Sequence, residues 1–213
     1  MIDTSYAFLF DFDGTLMDTE PAIICSFREI FRRYRTEEEF THEIQIAVLG
    51  PSLKESMTKY FPNEDPSKLE QEYRDYQKAH IKETVKPMKH SLELINTLKN
   101  KGYKVGLVST RRHDSMLTIF NTLELENTYD VIIGAEDVEH GKPAPDGILK
   151  ACELLNLEKS VYVGDSSTDI DAGKAAGSIT VGFLSNVHKK EALLKKQPDY
   201  FTDDLIDILQ IIK

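Results

Sequence analysis

The stretch Tyr6-Ala7-Phe8-Leu9-Phe10-Asp11-Phe12-Asp13-Gly14-Thr15 constrains this chain more than any other. Tyr6 to Phe10 has no polar break, the pattern of a strand covered on both faces. It runs straight into two aspartates separated by one residue, and Gly14 ends it. In an extended segment residues i and i+2 point the same way, so Asp11 and Asp13 are expected to start out on one side where the strand stops. Ligands of open α/β sheets bind at the carboxyl ends of strands. Two carboxylates this close resist ionising together unless a cation sits between them. For oxygen ligands accompanied by a phosphate, that cation is usually Mg²⁺. The plain structural reading of the same residues is an acidic turn, since Asp-Gly is a common turn pair.

The remainder of the chain decides between these readings. Glu20-Pro21 reads as the start of a helix, with Asp18 or Thr19 as its cap. Ile23, Phe27, Ile30, Phe31 and Tyr34 then recur at helical spacing, while Arg28, Arg32, Arg33 and Arg35 form a solvated face. A short helix is expected over Phe40 to Val48. Another follows the turn Leu49-Gly50-Pro51, with Ser52 as N-cap, and a charged helix runs from Ser67 to about Val85. Residues 18–85 therefore read as helical, with no convincing strand. From Lys86-Pro87 onward the character changes. Strands are expected at Tyr103–Val108, Tyr129–Ile133, Ser160–Val163 and Ser178–Phe183. Helices are expected at Ser91–Lys101, Asp114–Leu125, Ala144–Leu155, Thr168–Ala176, His188–Lys195 and Asp203–Ile212. Strand–helix alternation of this kind predicts an α/β fold with a doubly wound parallel sheet, a Rossmann-like core. The helical block does not fit the rhythm and reads as an insertion. The expected organisation is a core of residues 1–17 plus 86–213 and an inserted α-helical cap of residues 18–85. Inserted lids of this kind close over active sites and exclude water.

With 213 residues and a formal net charge of −10, the chain carries no basic nucleic-acid footprint, and an anionic substrate would need a local positive site. The two cysteines, Cys25 and Cys152, lack metal-type spacing and read as small core residues of a reducing compartment. There is no basic, apolar leader at the start and no apolar run long enough for a membrane span. The expectation is a cytoplasmic protein, monomer or homodimer, without nucleic-acid or membrane partners.

Polar residues follow the expected strands in a consistent way. Strand one ends at Asp11 and Asp13, and the next ends at Ser109-Thr110. Lys142 follows the third within Gly141-Lys142-Pro143. The fourth ends at Gly164-Asp165, with Asp169 shortly after. All belong at one edge of a parallel sheet. Carboxylates for Mg²⁺, a nucleophile, and hydroxyl, N–H and ammonium groups for phosphoryl oxygens make a set suited to phosphoryl transfer. Taken singly, each has a bland reading: a helix cap, a solvated lysine, a turn.

In this order the motifs Asp11-Phe12-Asp13-Gly14-Thr15, Ser109, Lys142 in Gly-Lys-Pro-Ala-Pro-Asp, and Gly164-Asp165-Ser-Ser-Thr-Asp169 resemble those of the haloacid-dehalogenase-like hydrolases. The resemblance covers nearly the whole chain, and the helical insertion is similar to the family's small α-helical cap. It implies that Asp11 attacks phosphorus to form an aspartyl-phosphate. Asp13 would protonate the leaving oxygen and then deprotonate the attacking water. The resemblance further implies Mg²⁺ held by the Asp11 carboxylate, the Asp13 backbone carbonyl and Asp165, with Asp169 orienting the metal's waters. Ser109 and the Thr110 N–H would bind phosphoryl oxygens, and Lys142 would offset the charge of Asp11 and phosphate together. Dehalogenases expel halide and have no use for an acid two residues after the nucleophile, so Asp13 favours phosphate chemistry.

Within the family, Leu49 to Ser56 and Ser109-Thr110-Arg111-Arg112 are similar to the phosphoglycolate phosphatase and bacterial pyrophosphatase branch. A small phosphorylated substrate such as 2-phosphoglycolate, or inorganic pyrophosphate, is the expectation. Arg111 and Arg112 either bind a second anionic group or are surface charge at a helix start. β-Phosphoglucomutase relatives usually place an arginine near the position of Leu53, which weakens that alternative, although Lys54 adjoins it. His113 and His140 read as solvated loop histidines. A signalling module that merely holds an aspartyl-phosphate is a remote alternative, since receiver domains are shorter and lack a cap.

Overall fold

A computed structural model describes residues 2–126, 128–185 and 187–212. The chain begins with β1 (Tyr6–Phe10) and β2 (Met17–Asp18). Five helices follow: α1 (Glu20–Tyr34), α2 (His42–Ala47), α3 (Leu53–Tyr60), α4 (Pro66–Ala79) and α5 (Ile81–Thr84). After β3 (Lys86–Pro87) come α6 (Ser91–Asn100), β4 (Lys104–Val108), α7 (His113–Thr122) and β5 (Val131–Ile133). The last stretch holds α8 (Asp146–Leu155), β6 (Lys159–Gly164), α9 (Ser167–Ala175), β7 (Ile179–Phe183), α10 (Val187–Lys195) and β8 (Tyr200–Thr202).

Backbone contacts divide the chain into two compact units. The first comprises Met1–Asp18, Pro87–Leu117 and Glu126–Lys213, and the second comprises Thr19–Lys86 and Thr118–Leu125. The short strands β2 and β3 pair in a separate two-stranded sheet. No helix of the described residues is long and apolar enough to cross a membrane.

The first unit is built on a six-stranded sheet in the order β5-β4-β1-β6-β7-β8, every neighbouring pair parallel. This is the doubly wound arrangement that the strand–helix alternation predicts. The strand order reverses at β1, which pairs with β4 on one side (Phe8 opposite Val105) and β6 on the other (Phe8 opposite Val161). Ligands of such sheets bind at this switch point. The unbroken apolar run of β1 is explained by its central place: Ala7, Phe8, Leu9 and Phe10 are all fully buried. Ala7 and Leu9 pack with Val108, Ile133, Ile148, Ala151, Tyr162 and Ala172 in one continuous core. Gly106 in β4 is required by this packing, because a Cβ there would lie 2.5 Å from Val131 Cγ1 and 2.8 Å from Leu9 Cδ2.

The second unit buries an aromatic cluster. Phe31 of α1 meets Phe40 at 4.9 Å and Phe61 at 4.8 Å between ring centroids, and Phe27 meets Tyr73 of α4 at 5.1 Å. Ser52 caps α3 as expected, in a capping box with Glu55.

Three expectations are corrected. The helix expected from Ser67 to Val85 is broken at His80, which leaves helical backbone geometry (φ −120°, ψ 16°) between α4 and α5. Neither Pro nor Gly marks that break. The sheet has a strand that the sequence reading omits, β8, an edge strand whose Tyr200 and Phe201 are exposed and therefore show no alternation. The α-helix expected at Asp203–Ile212 is a 3₁₀ run, Leu205–Ile211, with Asp204 accepting from Ile206 N at its start.

Candidate active site

Asp11 continues the ladder beyond β1, its N–H donating to Val163 O at 2.9 Å. The chain then turns: Gly14 N donates to Met17 O at 2.8 Å and Met17 N to Phe12 O at 3.0 Å. Gly14 takes a left-handed φ of +77°, and a Cβ on it would lie 2.9 Å from Asp165 Cγ. This early turn separates the two aspartates that an extended strand would leave side by side. Asp11 is buried and pairs with Lys142, whereas Asp13 is partly exposed and pairs with Arg111.

Around Asp11 the loops after several strands converge. Lys142 Nζ lies 2.7 Å from Asp11 Oδ1 and 2.6 Å from Asp169 Oδ1, with all three side chains buried. Asp169, in the first turn of α9, is held further by Ser166, whose N–H and Oγ donate to Oδ2 at 2.9 and 2.5 Å. Tyr162 of β6 donates its hydroxyl to Val108 O at 2.9 Å, and that hydroxyl lies 3.3 Å from Asp169 Oδ1. Asp165 pairs with Lys189 of α10 at 2.7 Å. Oxygen atoms of Asp11, Asp165 and Asp169 all lie within 4.8 Å of one another. Ser109 is buried, and Thr110 beside it is exposed. The structure thus brings Asp11, Lys142, Asp165 and Asp169 into one group, while the Asp13 carboxylate stands apart from it on Arg111.

Arg112 is a surface residue, pairing with Asp114 at 3.1 Å. His140 Nδ1 lies 3.1 Å from Asp146 in an exposed loop. His113, expected in a solvated loop, instead begins α7: its backbone N–H donates to Glu136 and its Nδ1 lies 3.8 Å from Asp137.

The profile of the haloacid dehalogenase-like hydrolases matches residues 8–183, most of the chain and every strand-end residue just described. The chain belongs to this family. Among its relatives, a Listeria monocytogenes protein named pyrophosphatase PpaX is 33% identical over 207 residues, 96% of this chain and 95% of that protein. A solved structure from Bacteroides fragilis, assigned to the haloacid dehalogenase-like hydrolases, is 27% identical with a TM-score of 0.86 and covers 97% of this chain and 100% of its own. One from Lactobacillus plantarum, assigned as a phosphoglycolate phosphatase, shares the fold at a TM-score of 0.85 and 21% identity, covering 99% of each chain.

In this haloacid dehalogenase-like hydrolase the buried carboxylates are short of positive charge. Burial pushes the Asp11 carboxyl up to about 7, against the opposing pull of Lys142. Burial also raises Asp165, opposed by Lys189. Burial works against ionised Asp169 too, but the Lys142 ammonium and the Ser166 hydrogen bonds outweigh it and hold this carboxyl below its ordinary value. Lys142 is itself buried, yet Asp11 and Asp169 keep it firmly protonated. Asp11 Oδ1 is buried against the Lys142 ammonium, 2.7 Å away. Three buried carboxylates against the two ammonium groups beside them fit a hard divalent cation.

Sequence reasoning missed Arg111 as a partner of Asp13, Lys189 as a partner of Asp165, and Tyr162 and Ser166 as supports of Asp169. Ser166 carried a signal, since Ser-x-x-Asp before a helix is a capping box. Arg111 carried a weaker one, its place two residues beyond Ser109. Lys189 and Tyr162 carried none.

Proposed function

We propose that this protein is a Mg²⁺-dependent phosphatase that hydrolyses a small phosphorylated metabolite, 2-phosphoglycolate or similar, or inorganic pyrophosphate. The observation that carries this reading is a buried carboxylate, Asp11, at the switch point of the sheet, with Lys142 at 2.7 Å and a second carboxylate, Asp13, two residues on. The relative named pyrophosphatase at 33% identity supports the phosphate-hydrolysing branch.

In the first step an Asp11 carboxylate oxygen attacks phosphorus, the P–O bond to the leaving group breaks, and Asp13 gives its proton to the leaving oxygen. In the second step water attacks phosphorus, Asp13 takes the water's proton, and the bond to Asp11 breaks to return the free carboxylate. Lys142 balances charge on Asp11 and on the phosphoryl oxygens, and its second contact, to Asp169, fixes the ammonium in place. Ser109 and the Thr110 N–H bind phosphoryl oxygens. Mg²⁺, held by the Asp11 carboxylate, the Asp13 carbonyl and Asp165, would supply the charge that keeps Asp11 ionised and offsets the phosphoryl group. Asp169 supports that site from behind. The helical segment 18–85 is the cap that selects the substrate, and the core is 1–17 plus 86–213.

Phosphate release from 2-phosphoglycolate, pyrophosphate, β-glucose 1-phosphate and p-nitrophenyl phosphate, with and without Mg²⁺, tests the reading. Asp11→Asn is expected to lower turnover by about 10⁴-fold or more, as loss of a nucleophile does. Mg²⁺-independent release, or an undiminished Asp11→Asn variant, overturns it. Glucose 6-phosphate formed without net phosphate would instead indicate a mutase.

A further inference from the structure

Asp13 has a cation of its own that the mechanism above leaves without a task. Arg111 Nε donates to both Asp13 carboxylate oxygens at 3.0 Å each, and Nη2 donates to Oδ1 at 2.8 Å. The guanidinium is fixed from its other side by Nη1, which donates to Ser115 Oγ at 2.9 Å. The backbone beneath it is tied down as well. Arg111 N donates to Ser109 Oγ at 3.2 Å, and Arg111 O accepts from Ala135 N at 3.0 Å. The Arg111 side chain is only 10% exposed, against 26% for Asp13, so this is no loose surface pair.

This arrangement conflicts with the task proposed for Asp13. A carboxylate whose two oxygens both accept from a guanidinium cannot at the same time donate a proton to a leaving oxygen. The observed pose is therefore a resting one, and another group must take Asp13's place on Arg111 before the reaction. A forked guanidinium is matched by a carboxylate or a phosphate, not by a neutral group. The geometry points to Arg111 as a latch exchanged between Asp13 and the substrate. A second anionic group on the leaving portion takes the guanidinium, and Asp13 is freed toward the leaving oxygen. Arg111 is then a positioning and specificity residue. It favours phosphate esters or anhydrides whose leaving group is itself an anion over those whose leaving group is neutral. This inference rests on the phosphatase reading and narrows its substrate class.

The test compares wild type with Arg111→Gln, in Mg²⁺, on two kinds of substrate. 2-Phosphoglycolate and pyrophosphate carry the second anion; glycerol 2-phosphate does not. Wild type is expected to favour the first kind in kcat/KM. Arg111→Gln is expected to lose about 10- to 100-fold in kcat/KM on them, mainly through KM, the usual size of a lost charged hydrogen-bond pair. On glycerol 2-phosphate its kcat is expected to rise, because Asp13 no longer has to be released. Equal loss on both kinds with KM unchanged would mean that Arg111 merely anchors Asp13, and would overturn the latch. If the glutamine variant does not fold, Arg111→Lys decides, since it keeps the charge and removes the fork. Reduced discrimination supports the latch, and wild-type discrimination overturns it. Wild-type turnover of all substrates without preference overturns the latch and leaves the phosphatase reading standing, whereas no turnover of any substrate overturns both.

Discussion

The two units each hold a compact cluster of oppositely charged side chains at nearly identical distances. In the sheet unit Lys142 sits 2.7 Å from Asp11 and 2.6 Å from Asp169. In the helical unit Glu29 sits 2.8 Å from Arg32 and 2.7 Å from Arg33 on the surface of α1. What separates them is the exposure of the cations, since the Glu29 and Asp11 side chains are 12% and 9% exposed. The Lys142 side chain is 6% exposed, while Arg32 is 61% exposed and Arg33 43%. Hydrogen bonds from Arg32 hold Glu29 down to about 2, whereas burial drives Asp11 up to about 7 despite its ammonium neighbour. Ion-pair distance therefore says little about either cluster. The exposed pairs relax to satisfy themselves, and the buried one remains short of positive charge.

The comparison is broken most severely by Lys142→Met. Removing one partner of a buried pair typically costs about 3–5 kcal/mol, because the remaining charges stay buried and uncompensated. Urea unfolding at neutral pH should show that loss, with partial recovery toward acid pH as the carboxylates protonate, and turnover should vanish with it. Gly14→Ala comes next. It forces a side chain into the left-handed region and against Asp165, so about 2–4 kcal/mol of destabilisation is expected from backbone strain and overpacking together. Calorimetry or urea titration would read this. A near-neutral alanine there would mean that the turn carrying Asp11 is looser than the cluster requires.

How far the sequence reveals these features depends on how local their physics is. The unbroken apolar run of β1, the capping box at Ser52 and the recurrence of polar residues after strands are all local, and each appears in the structure where the spacing puts it. The convergence of Asp11, Lys142, Asp165 and Asp169 at one edge follows from the parallel direction of the strands, which strand–helix alternation implies. What escapes a reading along the chain is pairing across it. Arg111 meets Asp13 from 98 residues away, and its place two residues beyond Ser109 is only a weak local sign of that pairing. Lys189 reaches Asp165 from α10 on the same terms. The break at His80 and the edge strand β8 are invisible for a related reason. The first lacks a Pro or Gly, and the second has no buried face to impose alternation.

The cation deficit itself can be sharpened by titration. A carboxyl raised from 3.8 to about 7 keeps a proton in the folded state that the unfolded chain has already released. The metal-free protein should therefore lose stability as pH rises through that window. Asp11→Asn should flatten the profile, and excess Mg²⁺ should stabilise the wild type most at the alkaline end, by about 2.7 kcal/mol at 100 times its Kd. A profile unchanged by both would mean that Asp11 is already compensated.

Glu29→Gln provides the smallest effect and the control. Its carboxylate is depressed from 4.5 to about 2, so its contribution is present above 4.5 and fades as pH falls through that window. Both arginines face water and keep other partners or hydration, so the cost at pH 7 should stay within about 1 kcal/mol and shrink further in high salt. Turnover should not change. A cost matching that of Lys142→Met would break the comparison at its base, because two clusters with such different exposure would then be energetically alike and burial could not be what sets Asp11 apart.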